Sequence, residues 1–394
     1  MKAGNQSSLK RNNQKAITEY IIKNGPISRA DLSKILDISK PTVSTNVAGL
    51  IEENLLKEIG YSKTEVGKKP MLLDFNKDYS YVLVLDFISY IKRGSIVCAV
   101  SNLYCETIFS EKITVPWESV SQTIRNDLPN KIFELLKKYD ISIEKIGVLV
   151  LTAPTSVYDE NHIDFECFNG DIINLAEIFS PWFKNKIAVK NDVNLAALGE
   201  KYFGVGQERE NLLYVWAGLA VGGAIILNGE LYEGKNIGVG EIAHCLLYDE
   251  DRQNYCELKN LVNSTGIKQY VENHYEDALK SSISEHIKNN TYFLDMISEA
   301  AKDGDKFCAN FGRYIGRKFA QIIFNLVYTL DLQMCIIGGE YVNFEDIFLD
   351  EIKKVFDNLP DKEIEVSQPL HYNSAIYGAF KFGADKILSN IISE

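Results

Sequence analysis

This chain has few cysteines and no long apolar run, and each scarcity removes a class of protein. Its seven cysteines are scattered along 394 residues, with no C-x-x-C pair and no even ladder. A disulfide scaffold is thereby excluded, and free, largely buried thiols in a reducing cytoplasm are expected. No uninterrupted apolar stretch approaches the roughly 20 residues that span a bilayer, so no membrane partner is expected. The N-terminal stretch from Met1 to Lys15 is basic but has no apolar segment behind it, which excludes a signal peptide. Internal repeats, low-complexity segments and a Ser/Pro-rich linker are also lacking. What is present is apolar material for sizeable cores, 46% of the residues, in a chain long enough for two to three domains.

Net charge is −12, which taken alone argues against nucleic acid. Its distribution reverses that argument. Residues 1–75 hold 12 Lys and Arg against 8 Asp and Glu, a balance of +4, which leaves −16 on the remainder. A small module that meets a polyanion, joined to an acidic body that does not, has this asymmetry.

The basic module reads as three helices and a hairpin. Gln14 to Asn24 puts Ile17 and Ile21 on one face, and Gly25-Pro26 stops that helix. Ser28 is a good N-cap with Asp31 in the first turn, and Leu32, Ile35 and Leu36 give the second helix its buried stripe. Ser39 caps a third helix with Pro41 in its first turn, where a missing N–H costs nothing. Val43, Val47, Leu50 and Ile51 form its inner face, while Lys40, Thr42, Ser44, Thr45 and Asn46 form a polar outer one. Leu55–Ile59 and Met71–Phe75 pair around a tip that carries Gly67-Lys68-Lys69-Pro70. Such a unit is a winged helix-turn-helix, with the third helix suited to a major groove and Lys68 and Lys69 to phosphates or the minor groove. A small protein-interaction domain with a solvated polar face is the alternative.

In the acidic body, the apolar run Ile187–Val189 delivers Asn191-Asp192 into a helix of small residues, Ala196 and Ala197. Leu212–Trp216 enters Gly218-Leu219-Ala220-Val221-Gly222-Gly223, and further glycines lead to Gly240-Glu241-Ile242-Ala243-His244. Carboxylates and amides at strand ends, separated by tight glycine turns, build small-molecule pockets in α/β proteins. In this order the motifs resemble those of the ROK family of sugar kinases and sugar-responsive repressors, with N-D-x-N-x-x-A, G-T-G-x-G-x-G and G-E-x-G-H.

The resemblance covers nearly the whole chain and implies roles residue by residue. In the kinases the aspartate at position 192 takes the proton of the sugar hydroxyl that attacks ATP, and Asn191 holds a neighbouring hydroxyl. The same pair binds a sugar without chemistry, or Asp192 or Asn194 simply caps the helix. Glu241 and His244 match further sugar contacts, and Asn169 falls where a sugar-contacting asparagine stands. Thr152-Ala153-Pro154 replaces P-G-P, keeping only the last residue. The phosphate-binding elements depart from the family. Its D-x-G-G-T turn is here Asp86-Phe87-Ile88-Ser89-Tyr90, and its G-T-G is Gly218-Leu219-Ala220. Asp86 is then a metal ligand or a strand-end cap. The family's zinc-binding C-x-C-G-x-x-G-C-x-E has no counterpart: Asp251, Gln253 and Leu258 occupy its cysteine positions and Asn260 that of its glutamate. No metal and no cofactor are therefore expected. The wing resembles the G-R-[KR]-P of ROK repressors, with Lys68 in place of arginine. Gly338-Gly339 is either an adenosine turn or a plain strand-to-helix turn.

The expected architecture is α/β: a winged helix-turn-helix over 1–75, a linker at 76–80, and a two-lobed sugar-kinase-type body of the actin-like ATPase (ribonuclease H-like) class. The first lobe is placed at 81–190 with 374–394 and the second at 191–373. The expected function is a cytoplasmic repressor of carbohydrate-utilisation genes, a homodimer or dimer of dimers. Its partners are a double-stranded DNA operator and a sugar or sugar derivative, and Asp192 is not catalytic. An active sugar kinase with a DNA-binding arm, or an effector-independent DNA-binding oligomer, are the alternatives.

Overall fold

The computed structural model of the chain describes residues 3–61, 69–87, 94–116, 120–153, 164–166, 172–235, 238–357, 363–371 and 373–393. Local capping chemistry builds the N-terminal module as expected. Ser28 Oγ accepts from the Asp31 N–H at 3.2 Å and starts the helix Arg29–Ile35. Ser39 Oγ accepts from the Thr42 N–H at 3.3 Å and starts the helix Lys40–Glu52, with Pro41 in its first turn. Strands β1 (Ile27–Ser28), β2 (Leu56–Tyr61) and β3 (Met71–Phe75) form a sheet in the order β1-β3-β2. The wing hairpin pairs Leu56 with Phe75 and Tyr61 with Met71. Lys68 and Gly67 lie outside the described residues, and Lys69 is exposed.

Two details depart from expectation. The first helix spans Ala3–Asn24, beginning well before Gln14. Ile35 is 53% exposed, not buried. A helix of seven residues has a narrow inner stripe, here defined by Leu32 and the half-buried Leu36 four residues on, and Ile35 falls on its flank.

Residues 76–80 are tied down at both ends. The Asn76 side-chain amide donates to Asn54 O at 2.9 Å, and its backbone N–H donates to Leu55 O at 2.9 Å. The Leu103 N–H donates to Lys77 O at 2.9 Å, and the Ser80 hydroxyl to Lys145 O at 2.9 Å.

The body is built on two five-stranded sheets. The first contains β4 (Tyr81–Asp86), β5 (Ser95–Asn102), β6 (Thr107–Thr114) and β7 (Ile146–Ala153). After the small hairpin β8 (Asp164–Glu166) and β9 (Ile172–Asn174), β10 (Ile187–Asn191) completes it in the order β10-β7-β4-β5-β6. The second contains β11 (Leu212–Ala217), β12 (Val221–Leu227) and β13 (Glu230–Leu231). The hairpin β14 (Leu246–Asp249) and β15 (Asn254–Glu257) intervenes before β16 (Met334–Gly338) and β17 (Glu365–Ser367), and the order is β13-β12-β11-β16-β17. In each sheet the first three strands are antiparallel neighbours, and the fourth and fifth run parallel to the first. One ribonuclease H-like topology is thus used twice, which is the two-lobed actin-like arrangement.

Helices Asp192–Phe203 and Ser374–Ser393 cross at glycines. A Cβ on Gly199 would fall 1.9 Å from Ser374 O, and one on Gly378 would fall 1.8 Å from Leu195 O, so no larger residue fits this crossing. One apolar core runs from Ile17, Ile21 and Phe75 of the winged helix through Val82 and Val84 to Phe380 and Ile387 of the last helix. No helix among the described residues is long and apolar enough to cross a membrane.

Candidate ligand cleft and nucleic-acid interface

Parallel strands β4, β7 and β10 end side by side. Asp86 lies opposite Thr152, and Ala153 opposite Asn191. In the second sheet Trp216 lies opposite Gly338 at the equivalent ends of β11 and β16. The carboxyl ends of both parallel sets therefore open on one cleft, where α/β sheets usually hold ligands. Its volume is about 690 Å³, and its lining includes Asp86, Asp192, Trp216, Phe293, Glu340 and His371.

Asp86 is 5% exposed and accepts a hydrogen bond from the Thr152 hydroxyl. Asn191 Oδ1 accepts from the N–H groups of Val193 and Asn194 at 2.9 and 3.1 Å. The helix cap that the sequence allowed at Asp192 or Asn194 is thus Asn191, and the Asp192 side chain lines the cleft. Burial, then the Glu200 and Asp192 carboxylates, push the Tyr214 phenol well up.

Glu241 and His244 are exposed and stand on a segment packed against β12, where the Gly223 N–H donates to Gly240 O at 2.8 Å. They are not among the described lining residues of the cleft that Asp192 enters. His244 Nδ1 lies 2.8 Å from Glu257 Oε1, and Lys259 Nζ lies 3.1 Å from Glu257 Oε2. Hydrogen bonds from His244 and then Lys259 hold the Glu257 carboxyl below the usual range. Asn169 and Pro154 lie outside the described residues.

At the second phosphate-loop position, a Cβ on Gly218 would fall 1.9 Å from Glu340 Oε2. A carboxylate therefore sits against the turn that, in the family kinases, faces phosphate. Gly339 has φ 102°, and a Cβ there would fall 2.3 Å from Ala217 O, so this turn is pressed onto the end of β11. Gly338 and Gly339 both line the cleft.

Two buried charged groups that the sequence reading missed brace the body, the first of them at the cleft wall. Glu200 is fully buried and accepts from the N–H groups of Val205, Leu370 and His371 at 3.1, 3.1 and 3.3 Å, and from the Ser374 hydroxyl. It clamps the segment that carries His371, Asn373 and Ser374 into the cleft wall. Lys318, 1% exposed, donates to Tyr248 O at 3.2 Å and to Glu250, and lies 3.3 Å from Asp249. Tyr314 donates to Asp249 at 2.7 Å, and Arg252 Nε lies 3.4 Å from it. This network braces the β14–β15 hairpin against the helix Lys306–Leu330. No group of three or more His, Cys, Asp or Glu suited to a metal occurs among the described residues. Burial pushes the Cys245 and Cys256 thiols up. No local pattern marks Glu200 or Lys318, because most of their partners lie far along the chain.

On the helix Lys40–Glu52, Lys40, Ser44 and Thr45 are exposed. Thr42 is half-buried, its hydroxyl 2.8 Å from that of Ser39. Asn46 departs from expectation: it is 3% exposed and its amide donates to Thr42 O at 2.8 Å. Position 46 lies three residues after Val43 and one before Val47, inside the buried stripe, and the exposed Ala48 joins the outer face instead. The spacing from Val43 was the available signal.

Comparison with known proteins agrees with this geometry at both ends of the chain. A winged helix-turn-helix DNA-binding profile matches residues 10–57. The xylose repressor of Caldicellulosiruptor bescii is 28% identical over 365 residues, covering 90% of this chain and 89% of that protein. The DNA-binding transcriptional dual regulator NagC of Escherichia coli is 23% identical over 402 residues, covering 99% and 96%. The crystal structure of a ROK family transcriptional regulator, a homologue of the E. coli MLC protein, superposes with a TM-score of 0.71 at 21% identity, covering 98% of this chain and all of that one. With the duplicated sheets, the interlobe cleft and a ROK profile that matches residues 93–382, the chain belongs to the ROK family.

Proposed function

We propose that this protein is a DNA-binding transcriptional repressor of carbohydrate-utilisation genes, whose sugar-kinase-like body binds a sugar effector without phosphorylating it. The observation that carries the reading is the Glu340 carboxylate against Gly218, in a cleft attached to a winged helix. Transfer of a phosphoryl group needs backbone amides and cations aimed at its oxygens. A carboxylate at that turn repels the same charge. The similarity to the xylose repressor and to NagC supports the regulatory reading.

Asp192, with Asn191 and Asn169, is proposed to hold the sugar in the cleft, Glu241 and His244 to meet it from the segment packed against β12 outside the described cleft lining, and Lys40, Thr42, Ser44, Thr45, Lys68 and Lys69 to meet DNA. Residues 1–75 form the DNA-binding module, 76–80 the junction, 81–190 with 374–394 the first lobe and 191–373 the second. Two modules in a symmetric oligomer would set their third helices in successive major grooves about 34 Å apart. Sugar binding then switches DNA affinity by favouring one arrangement of the lobes, and coupling of about 1–3 kcal/mol gives a 5- to 150-fold change.

The test pairs two assays on the full chain. Retardation of genomic fragments should occur at low salt and respond to a sugar, and Asp192→Ala should abolish the response while ligand-free DNA binding stays near normal. ATP–Mg²⁺ with hexoses or pentoses should give no sugar phosphate. Turnover that disappears in Asp192→Asn would establish a kinase instead.

A further inference from the structure

Four carboxylates from both lobes, Asp86, Asp192, Asp295 and Glu340, line the cleft, and no Lys or Arg stands among its described lining residues. Between them stand aromatic groups. Trp216 is half-buried at the end of β11, and Phe293 is 58% exposed at the start of the helix Leu294–Lys302. Leu219, 40% exposed, adds an apolar edge on the turn beside Gly218. A volume of about 690 Å³ exceeds what one sugar ring fills and lies mid-range among pockets that enclose larger ligands, roughly 300–1,000 Å³.

Carboxylates are strong acceptors for hydroxyl groups, and aromatic faces cover the C–H faces of sugar rings. Asp86 and Asp192 stand where the family kinases also carry aspartates, but Asp295 and Glu340 add negative charge on the Gly338–Glu340 side, which disfavours a nucleotide or a phosphorylated sugar there. We propose that this side of the cleft is a second sugar subsite, and that the effector is an uncharged oligosaccharide of two or three rings reaching from Asp192 to Phe293 and Glu340. The proposal rests on the sugar-binding reading above and extends it to the length and charge of the ligand. It gives the exposed Phe293 a role that packing does not.

Titration calorimetry on the full chain tests it, with xylose, xylobiose and xylotriose; glucose, cellobiose and maltose; N-acetylglucosamine and its β-1,4-linked dimer; and glucose 6-phosphate. One disaccharide or trisaccharide should bind at least tenfold tighter than its own monosaccharide, and glucose 6-phosphate should bind no tighter than glucose. Phe293→Ala, a surface change that leaves the fold intact, should reduce that length preference at least fivefold while sparing the monosaccharide. Trp216→Phe should keep binding and remove the ligand-dependent tryptophan fluorescence change. Equal affinity for monosaccharide and oligosaccharide, or tighter binding of the sugar phosphate, overturns the second subsite and leaves the sugar-binding reading standing. Absence of binding by every sugar overturns that reading and this proposal together.

Discussion

The two lobes share one sheet order and one pattern of parallel and antiparallel pairs, yet they are held together by different chemistry. The inner face of the first sheet merges with the winged helix and the last helix in a single apolar core. The second lobe packs a large apolar core too, but its β14–β15 hairpin hangs on the buried Lys318–Asp249–Tyr314 network. The corresponding turns differ as well: Asp86 is fastened to Thr152, whereas Gly218 lies under Glu340. Topology alone therefore does not decide which half moves. The first lobe is continuous with the DNA-binding module, and the second lobe meets it mainly through the cleft and one glycine crossing. This arrangement ties the first lobe to the DNA-binding module more closely than the second.

Breaking the second lobe's brace should have the largest effect. Lys318→Met takes from the buried Asp249 its buried cation and leaves only Arg252, 3.4 Å away, so the cost should lie toward the lower end of the roughly 3–5 kcal/mol that breaking a buried pair carries. Urea unfolding should report this loss, and Lys318→Met combined with Asp249→Leu should recover part of it, since the uncompensated charge is then gone. A Lys318→Met protein as stable as the parent would remove the contrast between the lobes. The glycine crossing comes next. Gly378→Ala forces a Cβ into the Leu195 carbonyl and should cost about 1–3 kcal/mol by overpacking. Because that crossing joins the cleft wall to the second lobe's support, the same change should weaken sugar binding. Stability lost with sugar affinity unchanged would mean that the crossing plays no part in closure.

What the sequence made legible was local or repeated chemistry. Ser28, Ser39 and Pro41 announce their helices because a cap acts within three residues, and the valine spacing of the third helix announces its inner face. Asp192 was readable because strand-end motifs sit in short stretches. Asn46 was misjudged because residue polarity was given more weight than its position three residues after Val43. Glu200 was invisible for a different reason: apart from the Val205 N–H, the groups it accepts from lie 170 and more positions away, at Leu370, His371 and Ser374. The duplicated topology also left no sequence repeat, because each sheet needs only apolar strands in a given order and tolerates different residues in them.

The junction between module and body gives a smaller effect. Asn76→Ala removes the hydrogen bond to Asn54 O, worth about 1 kcal/mol. Its larger consequence should be on signalling, since a looser junction fixes the helix Lys40–Glu52 less firmly to the first lobe and so passes on less of the relative movement of the lobes. Inserting several Gly-Ser units between Asn76 and Ser80 should blunt the sugar response of DNA binding further while sparing sugar affinity. An undiminished response would place the signal route elsewhere, with the contact between the first helix, Ala3–Asn24, and the last, Ser374–Ser393, as the remaining connection.

The smallest expected effect separates the lobes by pH. Asp305 caps the long second-lobe helix Lys306–Leu330, accepting from the N–H groups of Cys308 and Ser282 at 2.9 and 2.6 Å and from the Ser281 hydroxyl at 2.9 Å. Burial alone would raise this carboxyl, but those hydrogen bonds outweigh it and hold the group at about 2, against 3.8 for a free aspartate. The folded state thus favours the charged form. Its contribution is complete above pH 4 and is lost as pH falls from about 4 to 2. Asp305→Ala should cost about 1 kcal/mol at pH 7, as lost caps do, and the gap from the parent should close as acid protonates the carboxyl. The first lobe offers the control: the exposed Glu111 pairs with Lys138 at 2.8 Å, and Glu111→Gln should change stability little at either pH. Thermal melts of both variants from pH 7 down to pH 3 decide the matter. A pH-independent deficit in Asp305→Ala would mean that the cap acts through shape and not charge, and that this carboxyl gives the second lobe no acid sensitivity.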